Sequence, residues 1–124
     1  MKFMLMIYPD ESMLQALPEG EFDARMHQCI KHADELKAHG QLLDTQQLEE
    51  PATAKSVRSR NNKISVFDGP FAETKEYLGG FQLIEAADMD EAVRIASQIP
   101  WIENGCVEIR PVRDFEAVRQ RVGA

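Results

Sequence analysis

Cysteine is scarce in this chain. There are two in 124 residues, Cys29 and Cys106, with no C-x-x-C pair and no zinc spacing. A disulfide framework or a zinc-built fold is therefore not expected, and the default is a pair of free thiols in a reducing compartment. Long apolar runs are missing too; nothing approaches the roughly 20 residues that a bilayer-crossing helix needs. The apolar run from Phe3 to Tyr8 is too short for a secretory h-region and lacks a small-residue cleavage pattern. A cytoplasmic location and no membrane partner are expected. Positive charge is in deficit, with 14 Lys and Arg against 21 Asp and Glu, a net charge of −7. Proteins that neutralise phosphates usually carry a basic face, so nucleic acid is not an expected partner. The few cations at Lys55, Arg58, Arg60 and Lys63 suit the solubility of a hairpin. No nucleophile elbow, phosphate-binding loop, G-x-G-x-x-G, H-E-x-x-H or Cys-His arrangement occurs. No cofactor and no metal are expected, and the easily recognised enzyme classes fall away.

What is there is an ordinary mixture, 44% hydrophobic and 28% charged, in a length that suits one domain with a core. One stretch is distinctive: Asp68-Gly69-Pro70-Phe71, then Glu73, Lys75-Glu76 and Gly79-Gly80-Phe81. Pro70 fixes its own φ and Gly69 reaches conformations closed to other residues, so a tight, stiff bend is predicted. Gly79-Gly80 lets a backbone pass close by, or forms a bulge at a strand start. The stretch joins two β-like segments, Lys63 to Phe67 and Phe81 to Ala86.

Along the chain, residues 2–8 are almost wholly apolar and fit a central strand buried on both faces. Phe3, Leu5 and Ile7 would point one way; Met4, Met6 and Tyr8 the other. Residues 9–20 read as a loop with room for a short helical turn from Ser12 to Leu17. Residues 21–39 carry Phe22, Met26, Cys29, Ile30, Ala33 and Leu36 at helical spacing, with Gly40 as a stop. Leu42 to Leu48 reads as a strand. Ala54 to Ser59 and Lys63 to Phe67 read as a hairpin across Asn61-Asn62, since Asn tolerates the positive φ of a two-residue turn. Asp88 with Glu91 opens a second helix with a stripe of Ala92, Val93, Ala96 and Ile99, which Pro100 ends. Cys106 to Val112 is the last strand, and Asp114 caps a short terminal helix. The order β–α–β, hairpin, β–α–β predicts an α+β domain with a mainly antiparallel sheet and both helices on one face. The uncovered apolar sheet face calls for a second copy, so a homodimer is expected.

Asp68 through Phe81, together with Met1 to Tyr8 and Val107 to Val112, resembles the DGPF-domain proteins of the YCII-related family. The resemblance covers roughly residues 1–113 as one domain, with 114–124 as its C-terminal helical tail. It implies a ferredoxin-like βαββαβ domain with an extra hairpin, pairing face to face into a dimeric α/β barrel. Most of the family has no assigned reaction. Some of its wider members are thought to use a His–Asp pair, in at least one case to dehydrochlorinate an aromatic substrate. The family's His lies on the first helix, where His27 is the nearest position by count from Gly40.

Three readings follow. In the first, a dimer cleft uses His27 as base and Asp68 as orienter for elimination or isomerisation of a small aromatic or carbonyl compound. Tyr8, Arg58, Gly69, Pro70, Phe71 and Glu73 would contact that ligand. In the second, the dimer binds a small molecule or a protein without turnover; genes of DGPF-type relatives often neighbour those of alternative sigma factors. In the third, the motif is architectural, with Asp68 accepting backbone N–H bonds within its own turn.

Overall fold

A computed structural model describes residues 1–72 and 74–124. Its elements are β1 (Lys2–Pro9), α1 (Glu11–Gln15), α2 (Glu21–Ala38), β2 (Leu42–Gln47), β3 (Lys55–Arg60), β4 (Lys63–Asp68), β5 (Gly80–Glu85), α3 (Met89–Ala96), β6 (Gly105–Pro111) and α4 (Phe115–Val122). Two 3-10 turns, Pro51–Thr53 and Pro100–Asn104, join them.

Four strands form one antiparallel sheet in the order β2-β5-β1-β6. With the hairpin set aside, this is the split βαββαβ order of a ferredoxin-like α+β fold. The central position of β1 explains its composition. Phe3, Leu5 and Ile7 are buried beneath the helices, while Met4, Met6 and Tyr8 sit half-buried on the opposite face. Their cross-strand neighbours on that outer face are Leu83 and Phe81 on one side and Arg110, Glu108 and Cys106 on the other.

The core is a single cluster on the helix side, built from Phe3, Leu5, Ile7, Ile84, Leu36, Ala92, Ile95, Ile99 and Trp101. Each large apolar side chain buried there contributes on the order of 1.5–3 kcal/mol. In α3 the inward set is Ala92, Ile95 and Ala96. Val93, assigned to the stripe from the sequence, is instead 46% exposed. Positions 92, 95, 96 and 99 make one continuous helical face, and 93 lies a quarter turn off it. Asp88 caps α3 by accepting from the Glu91 N–H at 2.9 Å, as its spacing predicted.

The β3–β4 hairpin forms a two-stranded sheet of its own. Asn61 and Asn62 both hold positive φ, 52° and 62°, the geometry that a right-twisted two-residue turn requires. Val57, Ile64 and Val66 share one face of it and are 67%, 75% and 59% exposed. Among the described residues no helix is long and apolar enough to cross a membrane.

Candidate functional site

Helix α2 does not lie evenly on the sheet. At its C-terminal half Ala33 and Leu36 are buried against the core. Toward its N-terminus Phe22 remains 39% exposed, and Ile30 at mid-helix 55%. The N-terminal half is tied down sideways. Arg25 Nη1 donates to Asn104 Oδ1 at 2.6 Å and to Glu103 Oε2 at 2.9 Å, and its Nε donates to Glu21 at 3.2 Å. Phe22 stacks obliquely on Trp101 with ring centroids 5.1 Å apart. Beneath this half of the helix lies a cleft of about 880 Å³, within the usual range for small-molecule sites.

The roof of the cleft is Phe22, Met26, Cys29 and Ala33, and Trp101 also lines it. The floor is Ile7, Thr45, Gln47, Gly80 and Gln82. Gly79 and Gly80 make that floor flat and close. A Cβ on Gly80 would meet the Gln46 carbonyl oxygen at 2.8 Å, and one on Gly79 would meet Pro9 Cδ at 2.9 Å. The rim is acidic and partly aromatic: Glu11, Asp34 and Glu50 are exposed, and Tyr77 is half-buried.

Gln82 is the polar centre of this site. It is 1% exposed, in the middle of the sheet between Leu5 and Thr45 in register. Its Oε1 accepts no hydrogen bond from any described residue. The Thr45 hydroxyl does not reach it, because it donates to the Phe81 carbonyl at 3.1 Å. A buried amide oxygen without a donor costs on the order of 1–3 kcal/mol, and this oxygen is itself closed off from the cleft that the residue lines.

The remaining groups are less reactive. Burial pushes the Cys29 thiol up, opposed in part by its contact with Trp101; a protonated thiol is a weak nucleophile. Burial raises the Tyr77 phenol, and the charges of Glu11 and Glu50 raise it further. No group of three His, Cys, Asp or Glu among the described residues could hold a metal ion.

The residues singled out from the sequence lie elsewhere. His27 is on the exposed side of α2, and its neighbours Met26 and Cys29 line the cleft while it does not. Asp68 ends β4, where it accepts from Lys55 Nζ at 2.6 Å; with side-chain exposures of 68% and 86%, this is a surface pair. Among the described residues its carboxylate accepts none of the internal backbone bonds of the architectural reading. The turn is held instead by the Gly69 N–H donating to Ala54 at 2.7 Å and by Ser56 Oγ donating to the Gly69 carbonyl at 2.9 Å. Gly69 has the positive φ, 94°, that its type allows. Arg58, Pro70 and Phe71 are exposed on the same arm of the molecule. Tyr8 faces the outer side of the sheet, where burial first and Glu108 second raise its phenol. Glu73 lies outside the described residues.

Two signals in the sequence point to the cleft. Gln82 interrupts the inward alternation of β5 with an amide where Ile84 is apolar. The apolar stripe of α2 also extends two turns beyond what the sheet covers.

The fold and the cleft together define a ferredoxin-like α+β protein with a pocket between its first long helix and its sheet. The chain belongs to the YCII-related family, whose domain model matches residues 1–116. An uncharacterized protein of Rhizobium meliloti is 32% identical to it over 114 residues, 90% of this chain and 92% of that one. Among solved structures, 5-chloro-2-hydroxyhydroquinone dehydrochlorinase from Burkholderia phenoliruptrix, in complex with 2,5-dihydroxybenzoquinone, is similar over 91% of this chain and 94% of its own. The TM-score there is 0.49 and the identity 13%. A likeness of that size says nothing about chemistry.

Proposed function

We propose that this protein binds a small, largely apolar organic molecule in the cleft between α2 and the sheet. The observation that carries this reading is the cleft itself, about 880 Å³ under an apolar roof, with the buried amide of Gln82 in its floor. Phe22, Met26, Ile7 and Trp101 supply the apolar surface for such a molecule. The half-buried Met4, Met6, Tyr8, Phe81 and Leu83 on the other sheet face favour a homodimer, closing a dimeric α/β barrel on the side away from the cleft. The Asp68–Phe71 motif favours membership of the DGPF subgroup.

A second reading keeps turnover. His27 and Asp68, with Tyr8, Arg58, Gly69, Pro70, Phe71 and Glu73 around the substrate, would carry elimination or isomerisation in a cleft made between two copies. What favours it is the exposure of His27 and Asp68, which leaves both on the surface that a second subunit would meet.

Thiol labelling separates the two. In a Cys106→Ser background, 4-methylphenol should slow modification of Cys29 and raise the Tm, and Gln82→Leu should abolish both effects. Protection that survives Gln82→Leu, or no protection at concentrations where the ligand stabilises the protein, would overturn the cleft reading.

A further inference from the structure

The β3–β4 hairpin is patterned for a surface that its own chain does not supply. We infer, resting on the homodimer reading above, that it is an exchange arm. Its apolar face lies on the outer sheet face of a second copy of this chain, and the second copy's hairpin returns the contact.

The hairpin has two unlike faces. Val57 stands opposite Val66 and Ser59 opposite Ile64, so these four share one face. Arg58, Arg60 and Lys63 lie on the other, with Phe67. Such alternation belongs to a sheet with one face on a core and one in water. Here no core lies beneath the apolar face. Val57, Ile64 and Val66 are all exposed, and among the described residues neither strand pairs with the four-stranded sheet. A two-stranded hairpin left alone is marginal in water. Yet this one runs in unbroken register from the Lys55–Asp68 pair to the Asn61-Asn62 turn. Cover on the apolar face supplies the stability that two strands lack.

Charge indicates which surface provides that cover. The hairpin carries Lys55, Arg58, Arg60 and Lys63 against one acid, Asp68, in a chain whose net charge is −7. The rest of the chain is therefore more acidic than that total. Two hairpins laid together would bring like charges face to face. An anionic lipid surface that drew the hairpin in would repel the body behind it. The acidic body of a second copy attracts the hairpin without contact by its cations, since charges act over about 10 Å at 0.1 M salt. That body also holds the apolar surface required. Met4, Met6, Phe81 and Leu83 sit half-buried on the outer face of the sheet, where Asp44, Glu85 and Glu108 outnumber Lys2 and Arg110. Exchange about a two-fold axis makes this contact twice and closes the assembly at a dimer.

Sedimentation equilibrium of the full chain tests this, with two variants that each change one face of the hairpin. Ile64→Thr with Val66→Thr keeps the branched side chains that strands favour and removes apolar surface. It should raise the dimer Kd tenfold or more. Arg58→Glu with Lys63→Glu keeps the apolar face and reverses two charges. It should weaken the dimer at low salt, and less so at high salt. Circular dichroism of each variant checks that the fold is kept. If the threonine variant misfolds, the charge variant decides alone, both of its side chains being exposed. If the wild-type chain is a dimer and the folded variants dimerise as tightly, the arm inference falls and the homodimer reading stands. If the wild-type chain is monomeric at every concentration reached, both fall. Hairpin-dependent pelleting with phosphatidylserine vesicles, in place of dimerisation, assigns the apolar face to a membrane and overturns the inference.

Discussion

The two halves of α2 are built from the same kind of apolar stripe and meet opposite fates. Toward the C-terminus, Leu36 joins Phe3, Leu5 and Ile84 in the core. Toward the N-terminus, Phe22, Met26 and Cys29 face an open cleft with an amide at its floor. The first half stabilises the fold by burial; the second is held by Arg25 and the aromatic pair and leaves room for something else. Helical periodicity alone identifies the face that avoids water, but not whether protein or ligand will cover it.

The sharpest way to break this comparison is to truncate one side chain in each half. Leu36→Ala, in the closed half, should cost about 2–5 kcal/mol by urea denaturation. Ile30→Ala, in the open half, should cost no more than about 0.5 kcal/mol. Equal losses would mean that the two halves are packed alike. Gly80→Ala should cost about 1–3 kcal/mol, because its Cβ meets the Gln46 carbonyl oxygen and the sheet must shift to admit it. Gln82→Leu should leave stability unchanged or raise it by about 1 kcal/mol, since it removes an amide oxygen without a donor. Ligand binding should be lost in the same variant, and that opposition of stability and function marks a site rather than a core position. Asp68→Asn should change stability by no more than about 0.5 kcal/mol, because both it and its partner Lys55 are largely exposed. The smallest effect is on pH. The raised Tyr77 phenol holds its proton more tightly folded than unfolded. Its contribution is therefore complete below the ordinary tyrosine value near 10 and is lost as pH climbs through the higher folded value. Tyr77→Phe should flatten alkaline unfolding in that range, with acid unfolding unaltered.

Much of the fold was legible because short-range chemistry dictates it. The Asn61-Asn62 turn, the Asp88 cap, the doubly apolar β1 and the interleaved order of strands and helices each follow from local residue types. The cleft was not legible in the same way, because it depends on how far α2 stands from β5. That distance is set by Arg25 reaching Asn104, 79 positions away in sequence. The Asp68–Phe71 stretch stood out as a tight bend, and the bend is present: Gly69 adopts the positive φ and its N–H closes the turn onto Ala54. A turn fixes where a chain bends, and Asp68 at that bend points to Lys55 and solvent. Gln82 drew none, although a single amide at an inward position of an apolar strand is the stronger chemical anomaly.

The Arg25 clamp turns α2 into a beam resting on two piers, the Leu36 contact at one end and the Pro100–Asn104 turn at the other. Between the piers Met26 and Cys29 rest on the core only in part and also line the cleft. Both can change without unseating either pier. Evolution can refit that room for a new occupant one side chain at a time, while the sheet register and both ends of the helix stay in place.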